Sequence, residues 1–356
     1  MKILYIHNFY NPGGSALACL ELAKAYESKH QMEFVGFLPG MMYDEFNAIG
    51  PAHIVPCDTG LNYPPDVIKG IINDFQPDLI HVFLPGHESP AYFDVLPTGI
   101  PAVCTVLCMQ SAGFDMSHFN KVTFLSKANM KLSSDQTLSG IDVVVRPGLG
   151  LTSLPHPEPN EPLVFGRISA FCPSKKIHET IKCASACPDN LFIIAGEIQD
   201  QNYYQECMDM IRSYYMSCNI DIEVNITEQR KQELYDQIDV LHYPTSDEAF
   251  CYSIVEGMQR GMPVISTPNS AIPELMHKDE SVLIQEDIFG TGKAETLQEL
   301  TKRVASWDRN EYNRVSEIAR LTYENHYTRA RYAQDMHNVY DEVLEAQMNV
   351  STNNTA

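Results

Sequence analysis

The chain carries little positive charge and no long apolar segment. Its 356 residues include 25 lysines and arginines against 46 acidic side chains, a formal net charge of −21. Nucleic-acid binding by counterion release needs clustered Lys and Arg, so this composition argues against a nucleic-acid partner. No apolar run reaches the roughly 18 residues that span a bilayer, and no basic amphipathic helix favours docking on anionic lipid. We therefore predict no strong membrane association.

Several short motifs of metal and cofactor chemistry are also missing. The ten cysteines contain no Cys-x-x-Cys pair, and neither Asp-x-Asp nor Gly-x-Gly-x-x-Gly occurs. These absences predict that the protein uses no metal and no cofactor, and they argue against a dinucleotide-dependent dehydrogenase. The first residues, Met1–His7, suit a β-strand better than a secretory signal. We expect a cytoplasmic protein whose thiols are reduced and mostly buried.

What the chain does contain is an alternation of apolar strands with helices. Its hydrophobic content of 44% and charged content of 20% are those of a globular protein, and its length favours two domains. The alternation predicts an α/β fold with parallel sheets covered on both faces. The predicted segments are a first domain at 1–153, a proline-rich linker at 154–162, a second domain at 163–325, a helix at 326–348 and a disordered tail at 349–356.

The most informative stretch is Glu248-Ala-Phe-Cys-Tyr-Ser-Ile-Val-Glu256, in which two carboxylates flank the junction of a loop with a helix. A carboxylate accepts hydrogen bonds in pairs, which suits vicinal sugar hydroxyls, and a helix N-terminus attracts phosphate. The backbone N–H groups of Ala249 and Phe250 would point towards such a ligand. Ser253 and Glu256 also fit a capping box, in which Glu256 only satisfies the helix N-terminus. The residues alone leave both interpretations of Glu256 open.

Two further motifs follow predicted strands, where doubly wound sheets bind their ligands. Gly13 and Gly14 follow the first strand, and their N–H groups can approach phosphate oxygens closely. A turn with a helix cap at Ser15 explains this pair equally well. Arg167 and Lys175 follow the first strand of the second half. Two cations at one strand end can neutralise a leaving diphosphate, which we favour over solvated surface charge in so acidic a chain.

Together these motifs resemble the retaining glycosyltransferases of the GT-B fold, in particular family 4. The resemblance is strongest from Leu163 to Glu274, and its motifs are Phe165-Gly-Arg167 with Lys175, Ile194-Ala-Gly196-Glu197 and the run from Glu248 through Gly261-Met-Pro-Val. It implies two doubly wound, Rossmann-like domains that face an interdomain cleft. It also implies that the last helix crosses back onto the first domain.

By this resemblance the chain moves a sugar from a UDP- or GDP-linked donor to a hydroxyl acceptor, such as a glycan. Arg167 and Lys175 would bind and stabilise the leaving diphosphate, and the Gly13–Gly14 loop would close over it. Glu248 would hold sugar hydroxyls and Glu256 the ribose. The anomeric configuration would be retained by same-face substitution without a metal. The implied donor-binding set is Gly13, Gly14, Arg167, Lys175, Glu248, Ala249, Phe250, Ser253 and Glu256.

Two other functions remain open, because a fold alone does not settle an activity. The same scaffold could carry a nucleotide-sugar epimerase. It could also serve as a non-catalytic subunit that binds a nucleotide sugar. An isomerised donor would indicate the epimerase, and donor binding without nucleotide release would indicate the binding subunit.

The chain departs from the family at a position that commonly holds a histidine reaching the transferred sugar. That histidine follows the strand equivalent to Pro101–Val106, where this chain has Leu107. Either Gln110 or Ser111 takes over the contact, or the donor lacks the hydroxyl normally contacted there. His87, which follows another predicted strand, is a further candidate on the acceptor side.

The leucine predicts a donor with a less polar sugar edge, such as a pentose or a 6-deoxy sugar. An aliphatic side chain cannot hydrogen-bond a hydroxyl, so a sugar without one at that edge loses nothing there. A screen of nucleotide sugars for turnover tests this expectation. A clear preference for a hexose with a free 6-hydroxyl would contradict it.

Overall fold

The chain forms two compact units in a computed structural model. The first unit comprises Met1–Gly150 and Tyr327–Ala356, and the second comprises Leu151–His326. Within the described residues, every helix is too short or too polar to pass through a bilayer. The residues that the structure describes are 1–7, 10–11, 13–56, 64–84, 91–107, 116–133, 140–150, 158–214, 219–275, 282–284 and 296–353.

Strands and helices alternate along most of the described chain. The strands are β1 (Lys2–Ile6), β2 (Gln31–Gly36), β3 (Ala52–Ile54), β4 (Leu79–Leu84), β5 (Ala102–Val106), β6 (Lys121–Phe124), β7 (Asp142–Val144), β8 (Phe165–Ile168), β9 (Phe192–Gly196), β10 (Ile220–Val224), β11 (Val240–Tyr243), β12 (Val264–Ser266) and β13 (Val282–Ile284). The helices are α1 (Gly14–Tyr26), α2 (Tyr43–Ile49), α3 (Pro65–Phe75), α4 (Lys127–Ser133), α5 (Ile177–Ala186), α6 (Gln201–Ser213), α7 (Glu228–Tyr235), α8 (Tyr252–Gln259), α9 (Ile272–Leu275), α10 (Leu297–Ala305), α11 (Arg309–His326) and α12 (Arg329–Asn353). The last helix therefore continues to Asn353, beyond its predicted end at residue 348.

The first unit is built on a parallel sheet of order β3-β2-β1-β4-β5-β6-β7. Its central strand β4 reads Leu-Ile-His-Val-Phe-Leu and is buried along its whole length. A continuous apolar run of this kind is typical of a strand covered on both faces. The chain returns to this unit with α12, and the Tyr26 hydroxyl of α1 donates to the Ala333 carbonyl at 2.6 Å.

The second unit repeats the architecture with a parallel sheet of order β10-β9-β8-β11-β12-β13. Phe165 of β8 stacks on Phe192 of β9 with ring centroids 4.8 Å apart, which anchors the core between the sheet and its helices. Gly166 follows in β8 because a Cβ there would lie 2.2 Å from Ile238 Cδ1. The prediction of an α/β fold with two doubly wound parallel sheets is confirmed by these strand orders.

Each unit buries one histidine on a central strand. His81 of β4 bonds the Tyr340 hydroxyl at 2.6 Å and Thr105 Oγ1 at 2.7 Å. His242 of β11 lies 3.1 Å from Thr180 Oγ1. Burial lowers the pKa of both imidazoles to about 3, and in His242 the nearby Arg167 adds to this effect. Both rings are therefore neutral in the folded protein at ordinary pH.

These histidines predict that acid destabilises the protein before its carboxylates titrate. Below pH 6.5 the unfolded chain protonates the imidazoles while the fold holds them neutral, so stability falls as the pH drops from about 6.5 towards 3. The loss is on the order of 1 kcal/mol per pH unit for each histidine. Urea unfolding at pH 7.5 and 5.5 measures it, and His81→Gln should flatten the dependence of the first unit. A profile that is flat in the wild type would refute the expectation.

Candidate active site

The strand order of the second unit reverses between β8 and β11. From β8 the sheet extends through β9 and β10 on one side, and the chain then crosses to β11, β12 and β13 on the other. Connections that leave two such strands diverge and open a crevice at their carboxyl ends, which is where doubly wound sheets bind ligands. Arg167 lies near the end of β8, and Glu248 follows β11. The predicted site therefore falls at the switch point.

The Arg167 guanidinium is fully buried and bonds acceptors from three segments. Nε donates to Ser169 Oγ at 2.9 Å, Nη1 to the Pro244 carbonyl at 2.7 Å, and Nη2 to the Lys175 carbonyl. Its carbon atom Cζ lies 4.6 Å from the centroid of the Tyr243 ring, a cation–π contact. Arg167 thus ties together the end of β8, the turn before α5 and the end of β11.

The Lys175 side chain forms an ion pair with Glu248. Nζ lies 2.6 Å from Glu248 Oε1, and the two side chains expose 24% and 10% of their surface. Lys175 ends the short 3₁₀ helix Pro173–Lys175. The Ser174 carbonyl in that turn accepts the Ser246 backbone N–H at 2.9 Å, which joins the two loops. The structure therefore brings together the three residues to which the sequence assigns the chemistry.

Burial and mutual attraction set the charges of this cluster. Burial lowers the pKa of Arg167 below its ordinary value, although a guanidinium stays protonated in proteins. Burial also opposes the charge of Lys175, but the attraction and hydrogen bond of Glu248 outweigh it and raise its pKa. Both side chains are therefore positively charged in the folded protein, and of the two only Lys175 is partly exposed. In the described part of the chain, no group of three His, Cys, Asp or Glu side chains is placed to hold a metal ion.

The loop enters α8 through Cys251, whose φ of 84° is left-handed. The helix starts at Tyr252, and no described side chain caps it, so the capping box of Ser253 and Glu256 is not formed. The Ser253 hydroxyl instead donates to the Ile168 carbonyl at 3.3 Å. Ser253 therefore links α8 to the end of β8, next to Arg167.

Glu256 lies one turn further along α8 and is held from α7. Lys231 Nζ lies 2.7 Å from Oε1, and the Tyr235 hydroxyl donates to Oε2 at 2.7 Å. Neither Lys231 nor Tyr235 belongs to a motif that the sequence singles out. Their spacing of four positions on one helix was the available signal, because such residues share a face. Composition alone gives no reason to choose that face over another.

The remaining predicted residues are divided between the units. Phe250 is buried beside the half-buried Ala249. Gly13 and Gly14 are exposed at the start of α1 in the first unit, where Gly13 and not Ser15 is the N-cap residue. Three predicted acceptor-side residues lie outside the described residues: His87, Gln110 and Ser111.

Most of the second unit matches a known protein family. Residues 154–322 fit the family model described as glycosyl transferases group 1. The second unit is a group 1 glycosyltransferase domain. Arg167, Lys175, Glu248 and Glu256 all lie within the matched residues. The prediction that this chain is a glycosyltransferase is thereby confirmed. No curated relative matches the chain.

Solved structures share the fold over nearly the whole chain at low sequence identity. The structure of Anabaena HepE in complex with UDP and glucose is 17% identical, with a TM-score of 0.75 over 96% of this chain and all of its own. A glycosyltransferase from Rickettsia africae is 16% identical, with a TM-score of 0.79 and coverage of 96% and 98%. Sucrose-phosphate synthase from Thermosynechococcus elongatus is 13% identical, with a TM-score of 0.72 and coverage of 97% and 99%. These likenesses confirm the GT-B fold.

Arg167 and Lys175 should differ in their effect on the stability of the group 1 domain. Arg167→Lys leaves buried carbonyls without a donor and should lower the free energy of unfolding by about 2–4 kcal/mol. Lys175→Met removes an ion pair whose lysine is partly exposed, and Glu248 keeps the Thr245 hydroxyl as a donor, so the loss should be smaller, about 1–2 kcal/mol. Urea unfolding followed by circular dichroism compares the two. Equal losses would contradict the structural role of Arg167.

Proposed function

We propose that this glycosyltransferase moves a sugar from a UDP- or GDP-linked donor to a hydroxyl group of a glycan or other acceptor, with retention of configuration. The observation that carries the proposal is the cluster of Arg167, Lys175 and Glu248 at the switch point of a group 1 domain. A diphosphate needs cations and a sugar needs paired acceptors, and the cluster offers both within one crevice. The UDP and glucose bound in HepE support a nucleotide-sugar donor.

Lys175 is the group best placed to meet the diphosphate directly. Its ammonium is partly exposed and is already aimed into the loop that carries Glu248. A lysine has three N–H donors, so it can turn towards phosphate oxygens while its stem stays in place. Glu248 Oε1 then becomes available to accept sugar hydroxyls. In this proposal the donor replaces the Lys175–Glu248 ion pair with contacts from Lys175 to the diphosphate and from Glu248 to the sugar.

Arg167 acts in the proposal through its charge and its position. Each of its three nitrogens donates to a protein acceptor in the free protein. Because the side chain is fully buried, a direct contact between Arg167 and the diphosphate requires neighbouring groups to move aside, and this contact stays a prediction. The buried positive charge of Arg167 nevertheless favours binding of the diphosphate nearby, because electrostatic interactions in a low-dielectric interior are weakly screened.

The reaction that we propose needs no protein nucleophile. The bond between the anomeric carbon and the diphosphate oxygen breaks, and the acceptor oxygen forms the new bond on the same face. The departing diphosphate oxygen takes the acceptor proton. Lys175 and Arg167 stabilise the negative charge on the diphosphate, which makes a metal ion unnecessary in this scheme. The closing of Gly13 and Gly14 over the donor stays a prediction of the resemblance.

Lys175→Ala should lower the turnover number at least roughly 100-fold, as expected for the loss of a group that stabilises developing charge. Lys176→Ala is the matched control, because it removes the adjacent lysine and should leave turnover within about twofold. Release of nucleoside diphosphate from a panel of UDP- and GDP-linked sugars, with glycan acceptors, provides the measurement. Normal turnover by Lys175→Ala would remove that role.

Two conditions of the same assay distinguish the rival functions. Incubation of a donor without an acceptor isomerises it if the protein is an epimerase. A binding subunit would retain the donor and release no nucleotide with any acceptor.

Two further measurements test the mechanism. Addition of a chelator should leave the rate unchanged, and NMR of the product should show the donor's anomeric configuration.

A further inference from the structure

Both carboxylate oxygens of Glu256 accept hydrogen bonds from side chains on one face of the neighbouring helix α7. Lys231 contacts Oε1 and the Tyr235 hydroxyl contacts Oε2, each at 2.7 Å. The two donors lie four residues apart on α7, so a single rigid element presents both. A carboxylate held in this way has a fixed plane and a fixed direction.

The surroundings of the pair make this grip rigid. Glu256 exposes 13% of its side chain and Lys231 exposes 21%, while Tyr235 is fully buried. Arg260 stacks on the Tyr235 ring at 4.6 Å from its centroid and donates to Gln232 Oε1 on the same helix. The Arg260 guanidinium also donates to the Glu256 carbonyl at 3.3 Å. The contact with Arg260 thus helps to hold the Tyr235 ring in place, with its hydroxyl bonded to the Glu256 carboxylate.

The carboxylate nevertheless keeps half of its accepting capacity. Two carboxylate oxygens offer about four lone-pair sites, of which Lys231 and Tyr235 use two. One site is left on each oxygen, which suits two neighbouring hydroxyl donors. The negative charge of Glu256 is balanced by Lys231, so the pair suits a neutral diol and repels a nearby diphosphate only weakly.

We propose that Lys231 and Tyr235 are positioning residues that aim Glu256 at both hydroxyls of a ribose, and so make the enzyme select ribonucleotides over 2′-deoxyribonucleotides. The inference rests on the proposed function, in which Glu256 faces the ribose of the donor. A deoxyribose offers one hydroxyl and leaves one carboxylate site unfilled. Discrimination therefore depends on the orientation of the carboxylate as well as on its presence.

Calorimetric titration with UDP and 2′-deoxy-UDP, and with GDP and 2′-deoxy-GDP, tests the inference. In the wild type the ribonucleotide should bind about 10- to 100-fold more tightly, as expected for one hydrogen bond to a charged group. Lys231→Met and Tyr235→Phe should reduce this ratio to about threefold or less. Most of the change should come from weaker ribonucleotide binding.

Arg230→Met is the matched control. Arg230 is a cation on the same helix, but it pairs with Glu223 and Glu233 instead of Glu256. This variant should keep the wild-type ratio. Lys231→Arg retains a cation within reach of Glu256 and should restore part of the ratio lost in Lys231→Met.

The outcomes separate this inference from the function on which it rests. If Lys231→Met weakens both nucleotides of a pair equally, Lys231 has only a structural or general electrostatic role and the inference is overturned. The same holds if the wild type binds UDP or GDP without discriminating against the deoxy form. If none of the nucleotides binds the wild type, the proposed nucleotide-sugar transfer fails as well.

Discussion

The candidate site depends on a buried arginine whose hydrogen bonds hold three separate segments together. A guanidinium is stable inside a protein only when its donors are satisfied. Arg167 meets this condition through Ser169, Pro244 and Lys175. The turn that ends at Lys175 and the strand end before Glu248 are therefore fixed relative to each other, although they lie far apart in the sequence. Without that constraint the Lys175–Glu248 pair would join two independent loops.

The two glutamates of the motif are both carboxylates, but their side chains are held in place to different degrees. Glu248 is paired with Lys175, which lies on a short turn. The long side chain of this lysine can move its ammonium group to another partner. Glu256 is gripped by two donors on one helix, with an arginine stacked behind them. A carboxylate that must adapt to a reacting sugar benefits from the first arrangement. One that reads an unreactive ring benefits from the second, because a fixed acceptor discriminates better than a mobile one.

The sequence predicted the cluster because of a general property of parallel sheets. The carboxyl ends of their strands lie at one edge, so Arg167, Lys175 and Glu248 could be expected to meet once each was assigned to a strand end. The enclosure of Arg167 could not be predicted, since it depends on the Pro244 carbonyl, 77 residues away in the chain. The capping box of Ser253 and Glu256 also failed. Cys251 takes the N-cap position with a left-handed backbone that favours glycine, which sequence patterns do not assign to cysteine.

The buried arginine also explains how an acidic chain can attract a diphosphate. In the part of the chain that the structure describes, the hydrogen-bond acceptors of Arg167 are carbonyls and hydroxyls, none of them a carboxylate. Arg167 and Lys175 together oppose the single charge of Glu248, so one positive charge is left at the switch point. On the neighbouring helix Lys231 pairs with both Glu256 and Glu228, so that group adds no excess positive charge. A net charge of −21 is largely screened at the surface by salt, whereas the excess charge of this cluster centres on the buried Arg167 and acts at short range. The crevice is therefore locally cationic, because the groups that accept hydrogen bonds from Arg167 are neutral and do not cancel its charge.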